Sequence, residues 1–170
     1  MIDLFYGDES RVCIEPCVPY GWQFPDEDVF MPSAKGKGLN CFGLLTRTNK
    51  LMFSTTTQNI NSTFVFEYLD RLSFMLEKPT VIVLDNASVH TAKIIQQQRN
   101  VWEERGLTLF YLPPHSPQLN LIEILWKMLK YYWLKPEDYV EEQLLFYKIT
   151  LALAAVGSSL NINFSDLALV

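Results

Sequence analysis

The segment Leu112–Trp126, LPPHSPQLNLIEILW, decides how the rest of this sequence is read. Pro113, Pro114 and Pro117 have no amide to donate, and each pushes the residue before it away from helix, so the segment opens extended. Asn120 then fits a helix N-cap, and an apolar run of helical period follows. Glu123 falls in the first turn of that helix, just beyond the end of a strand. Two readings stay open here. Asn120 and Glu123 can form a capping box that only starts the helix, or Glu123 can be a ligand of a catalytic metal. Taken alone, the segment favours the box.

Working back from it, Leu107–Leu112 is an apolar strand, and Thr91–Arg105 is an amphipathic helix stopped by Gly106. Before that, TVIVL at 80–84 is a short continuous apolar run, the pattern of a central strand covered on both faces, and it ends at Asp85-Asn86. A helix capped by Asn61 or Ser62 carries Phe64, Val65, Tyr68, Leu69, Leu72, Met75 and Leu76 at helical spacing. Leu39–Thr46 and Leu51–Thr57 read as strands joined by a turn at Thr48-Asn49-Lys50. Pro19–Asn40, with Trp22 and the lysines Lys35 and Lys37, reads as a long loop or flap. At the start, Ile2–Gly7 is a strand closed by Asp8, with a hairpin turn near Gly7–Ser10 and a second strand at Arg11–Glu15. By strand alternation Glu9 points away from Asp8.

Forward from the segment, a helix over about 121–134 puts Glu123, Lys127 and Lys130 on one face and Ile122, Leu125, Trp126, Leu129 and Trp133 on another. Pro136 ends it, and 137–156 reads as a last helix with Gly157 after it. The tail 158–170 has no assignable pattern. Antiparallel strands followed by helix–strand–helix–strand–helix imply an α/β domain: a mixed sheet of five strands flanked by helices. In such sheets sites gather at the carboxyl ends of strands. Asp8 and Asp85 stand at two such ends, and Glu123 follows a third.

The 170 residues suit one domain, and 49% apolar with 19% charged residues is the composition of a globular chain. No apolar run reaches membrane-span length, so no membrane partner is expected, and MIDLFYGDES lacks the basic patch of a secretory leader. Cys13, Cys17 and Cys41 lack zinc-ligand spacing and are expected to be reduced thiols, in keeping with a cytoplasmic protein. A net charge of −5 argues against a pure nucleic-acid binder. It leaves room for an enzyme whose acids are neutralised by metal. Like charges about 4 Å apart cost about 4 kcal/mol at an effective dielectric near 20, which a fold tolerates when a proton or cation is shared. Mg²⁺, a hard ion with oxygen ligands, suits such a cluster and phosphate chemistry.

GDES around Asp8, VLDNASVH around Asp85 and LPPHSPQLNLIEILWKMLK around Glu123 together resemble the catalytic core of a DDE transposase. The resemblance is to the bacterial insertion-sequence branch of the Tc/mariner superfamily. It extends over about residues 2–135 and includes KGKGLNCFGLL at 35–45. It implies a ribonuclease H-like fold, with Asp8, Asp85 and Glu123 as the catalytic triad holding two Mg²⁺ ions, for which Mn²⁺ can substitute. The 37 residues between Asp85 and Glu123 fit that superfamily. Retroviral integrases are similar in placing lysines four and seven residues past the catalytic Glu, as Lys127 and Lys130 stand here.

The resemblance implies DNA strand cleavage and strand transfer on transposon ends and target DNA, by a homodimer in the bacterial cytoplasm, nucleoid-associated when on DNA. The helix-turn-helix region that precedes the catalytic core in that superfamily has no counterpart before Asp8. It is expected on a separate polypeptide or to be missing. Lys127, Lys130, His115, Lys35 and Lys37 are candidate DNA contacts. Asn86, His90 and Asn120 are candidate auxiliary residues, each with an ordinary turn or cap role as the alternative. A ribonuclease H-type nuclease and an inactive relic serving as a DNA-binding or dimerisation module are the rival functions.

Overall fold

The computed structural model describes residues 1–14, 37–114 and 116–164. Five strands form one sheet: β1 (Asp3–Cys13), β2 (Gly38–Leu45), β3 (Leu51–Thr56), β4 (Thr80–Leu84) and β5 (Leu107–Tyr111). Their spatial order is β3-β2-β1-β4-β5. β1 and β3 run antiparallel to β2, whereas β4 is parallel to both β1 and β5. The helices are α1 (Ser62–Ser73), α2 (Lys93–Glu104), α3 (Ile122–Met128) and α4 (Glu142–Ala155). This is the mixed five-stranded sheet with flanking helices expected from the sequence.

Two apolar cores lie on opposite faces of the sheet. Phe5, Phe42, Leu44, Ile82 and Leu84 pack with Val65 and Leu69 of α1 and with Ile95 and Trp102 of α2. On the other face Val12, Cys41 and Leu45 pack with Ile122, Leu125 and Trp126 of α3 and with Leu145, Ile149 and Leu153 of α4. All eight residues of β2 are buried, because both faces of that strand are covered. Gly43 lets α3 come close: a Cβ there would stand 3.0 Å from Ile122 Cδ1 and 3.1 Å from Trp126 Cη2.

The hairpin expected at Gly7–Ser10 does not form. β1 is one strand of 11 residues, because β2 offers it an antiparallel partner from Tyr6 through Cys13. Gly7 answers to packing, not to a turn. A Cβ there would lie 2.7 Å from Leu44 Cδ2 and 2.8 Å from Leu84 Cδ2. Of the loop or flap expected at Pro19–Asn40, Gly38–Asn40 instead belong to β2, where they pair with β1; residues 19–36 with Trp22, like Glu15 and Cys17, lie outside the described residues.

Several local expectations hold. Asn61 caps α1, its Oδ1 accepting from the Phe64 amide at 2.9 Å. Gly106, at φ +89°, stops α2. Asn49 takes a left-handed φ of 62° in the turn between β2 and β3. Others shift. Beyond Met128 the chain passes into a wider π-helical turn, Leu129–Trp133, before the extended residue Lys135 that Pro136 requires. The single helix expected over 137–156 is broken. Pro136–Tyr139 is a separate 3-10 turn, held where the Lys135 amide donates to Asp138 Oδ2 at 2.9 Å. Glu141 is extended, and α4 starts after it. Asn49 clamps the following tail, donating to the Ile162 carbonyl at 3.0 Å and accepting from its amide at 2.7 Å.

Among the described residues no helix is long and apolar enough to cross a membrane. Cys13 and Cys41 are free thiols, and burial pushes that of Cys41 up to about 12.

Candidate active site

The sheet register brings the first two acids together. β1 pairs with β4 as far as Tyr6 with Val83. Two residues further along, Asp8 and Asp85 come level, just where β4 ends at Leu84 and the chain turns away. β1 continues, so Asp8 lies within a strand and does not close one as expected. Asp8 is 8% exposed. Its carboxyl is raised to about 8 by burial first, then by the charges of Glu9, Glu123 and Asp85, against one backbone hydrogen bond from Glu9. Glu123 comes from the first turn of α3, on its exposed side. Partial burial and the charges of Asp85 and Glu9 raise it, and Lys130 opposes the shift.

Asp85 goes the other way, held below the ordinary carboxylate range. The main cause is its hydrogen bond with His90, Oδ1 to Nδ1 at 2.7 Å, with the Ala87 amide donating to the same oxygen at 3.0 Å. His90 is fully buried. Burial alone would lower its pKa, but the bonds and charges of Asp85 and Glu9 outweigh that and lift it to about 9. Its Nε2 stands 2.9 Å from Glu9 Oε2, an ion-pair contact that lies off the direction of a good hydrogen bond.

The expectation that Glu9 points away from Asp8 holds for the face. Its oxygen reaches His90, whose ring meets Phe42 of the α1–α2 core edge-on at 6.5 Å. One oxygen each of Asp8 and Glu9 and one ring nitrogen of His90 nevertheless lie within 4.8 Å of one another, the one such group of His, Cys, Asp and Glu among the described residues. The sequence-predicted set Asp8, Asp85 and Glu123 is looser than this. Its charges act on one another, but its oxygens are not all within 4.8 Å. Acids that share two ions about 4 Å apart need not touch. Glu9 was missed because alternation fixes a side chain's face and says nothing of how far it reaches around a strand that has lost its neighbour.

Asn120 is not the N-cap of α3. Leu121 is the N-cap of α3, with no side-chain cap bond. The Asn120 side chain is buried and donates from Nδ2 to the Gly7 carbonyl at 3.0 Å, while its Oδ1 has no hydrogen-bond partner among the described residues. It thereby ties the start of α3 to the residue before Asp8. Asn86 likewise donates to the Leu112 carbonyl, joining the ends of β4 and β5. Beside it a cleft of about 500 Å³ is lined by Asp85, Ala87, Pro113, Pro114 and Ser116.

Lys127 is exposed, and Lys130 is half-buried in the π-helical turn, near enough for its charge to act on Glu123 and Cys41. Lys37 is engaged by Glu142 of α4 at 2.7 Å. Lys35 and His115 lie outside the described residues.

A family model described as DDE superfamily endonuclease matches residues 3–144. The chain belongs to that family. No curated protein matches this DDE-family chain, but its architecture is shared with solved structures. One is the Mos1 transposase paired-end complex with left transposon end, at a TM-score of 0.59 and 14% identity over 89% of this chain and 52% of that one. Another is a simian T-cell lymphotropic virus intasome in complex with PP2A regulatory subunit B56 gamma, at a TM-score of 0.65 and 13% identity over 95% and 50%. A Mos1 mariner paired-end complex with Mn matches at a TM-score of 0.56, with 13% identity over 89% and 52%. The chain therefore spans about half the length of these neighbours. Identities this low show the fold: the DDE-family domain has the ribonuclease H-like architecture of transposase and integrase catalytic cores.

Proposed function

We propose that this DDE endonuclease domain is the catalytic core of a transposase. In this reading it cleaves DNA strands at transposon ends and joins the freed 3′-hydroxyl to target DNA. Asp8, Asp85 and Glu123 would hold the divalent ions. The observation that carries the reading is Asp8, a nearly buried carboxyl pressed by the charges of three other acids. Such a set costs stability without a cation and is relieved by one. All-oxygen donors suit Mg²⁺, with Mn²⁺ as substitute. The ions, when bound, supply activation of the attacking oxygen and charge stabilisation of the leaving one.

The chain's own residues do the rest. β1 and β4 hold Asp8 and Asp85 level. Asn120 ties the start of α3, which carries Glu123, to the strand bearing Asp8. Lys127 and Lys130 face the DNA phosphates, and the ion pair of Lys37 with Glu142 can be exchanged for a phosphate contact at small cost because it is exposed. Lys35 and His115 are proposed to add contacts. A dimer on paired DNA ends, a separate DNA-reading polypeptide and a bacterial cytoplasmic location complete the proposal.

The test is nicking of supercoiled plasmid in Mg²⁺ or Mn²⁺ by the wild type and by Asp85→Asn and Glu123→Gln, each checked for folding by circular dichroism. Loss of nicking in both variants is expected. Undiminished metal-dependent nicking in either would remove that residue from the site. Preferential cleavage of an RNA–DNA hybrid would move the assignment to a ribonuclease H-type nuclease.

A further inference from the structure

We infer that His90 is a positioning residue, braced by Glu9 from behind, that holds one oxygen of Asp85 so that the other faces the metal site. The inference rests on the metal-site reading above and extends it to residues outside the acidic triad.

His90 is built in from every side. Its amide donates to the Ala87 carbonyl at 3.0 Å, and its own carbonyl accepts from the Tyr111 hydroxyl at 2.8 Å. The ring is fully buried and lies edge-on to Phe42. It has no freedom to follow Asp85, so Asp85 must follow it. Nδ1 meets Asp85 Oδ1 at 2.7 Å, and the Ala87 amide meets the same oxygen at 3.0 Å. A carboxylate can only accept, so Nδ1 carries its hydrogen there. With its usual two acceptor directions used, Oδ1 is committed to the protein, and Oδ2 is the oxygen left for a ligand.

Asp85 needs this help more than Asp8 does. Asp8 sits within a strand paired to β2, whereas Asp85 follows the last residue of β4, where the ladder has ended. On the far side of the ring Nε2 stands 2.9 Å from Glu9 Oε2, both atoms shielded from solvent. The imidazole thus spans from β1 to the turn after β4 and couples the strand of one acid to the carboxylate of the other. Hydrogen-bond partners of metal-binding carboxylates set ligand orientation, and their loss typically lowers metal affinity about 10–100-fold. The competing geometry is direct ligation by a ring nitrogen of His90, which forms a compact group with oxygens of Asp8 and Glu9.

Mn²⁺ titration of the DNA-free full chain, followed by electron paramagnetic resonance, separates these. His90→Asn leaves an amide donor close to the Nδ1 position, whereas His90→Gln places it toward Glu9. Affinity within about 3-fold of wild type is expected for H90N, and a fall of about 10–100-fold for H90Q at matched melting temperature. Glu9→Gln, which weakens the brace without touching the ring, is expected to lower affinity in the same direction and serves if H90Q does not fold. Equal affinity in H90Q and wild type, or in E9Q where that variant stands in, overturns the inference. So does ¹⁴N coupling from an imidazole to Mn²⁺ in the pulsed spectrum of the wild type, which would make His90 a ligand. No Mn²⁺ binding by wild type would instead remove the metal-site reading and this inference with it.

Discussion

Replacing Asp8 by Asn is expected to make the metal-free protein more stable while removing its response to Mg²⁺. The magnitude follows from the site. The folded carboxyl titrates at about 8 against an ordinary 3.8, with burial as the largest cause. Between those two values the folded chain keeps a proton that the unfolded chain has released. Stability therefore falls as pH rises through the window, by about 1.4 kcal/mol per unit. At pH 7, about three units above the unfolded value, the accumulated cost is about 4 kcal/mol. Asn has no proton to lose, but its amide is also buried, so a gain of about 2–4 kcal/mol is expected there. The gain should vanish near pH 4, grow with pH and level off above about 8. Urea unfolding with a chelator present, from pH 4 to 9, measures it at constant m-value. With Mg²⁺ at 100 times its dissociation constant, wild type should gain about 2.7 kcal/mol and the variant much less. A variant that is less stable than wild type at pH 7, or a stability gap that does not change with pH, would refute the reasoning.

Gly7→Ala puts a methyl within 2.8 Å of two core leucines and should cost about 1–3 kcal/mol in urea unfolding by overpacking. Gly157→Ala should lower the melting temperature more sharply, since φ is +83° and the new Cβ would stand 2.5 Å from the Asn49 carbonyl oxygen. Asn120→Ala leaves the Gly7 carbonyl without the Asn120 donor and should cost about 1–3 kcal/mol in urea unfolding. If Asn120 also aligns α3 with β1, Mn²⁺ affinity falls too; an unchanged affinity would confine it to stability. Lys37→Ala breaks an exposed pair and should change stability by less than about 1 kcal/mol, while weakening DNA retention at low salt in a filter-binding assay.

Much of this was legible in the chain itself. TVIVL reads as a buried central strand and is one. Asn61 and Gly106 punctuate α1 and α2 as their chemistry demands, because caps and stops are properties of a few adjacent residues. The resemblance of the motifs around Asp8, Asp85 and Glu123 to one family needed nothing but the sequence. Tertiary structure decided what depended on distant partners. Gly7 looked like a turn until β2 was there to pair with it. Asn120 looked like a cap until a carbonyl 113 residues away accepted its amide. Glu9 looked irrelevant until His90 arrived from beyond β4 to meet it. Periodicity tells which way a side chain leaves the backbone. Only the packed sheet tells what stands there to receive it, because that partner is brought in by pairing across the fold.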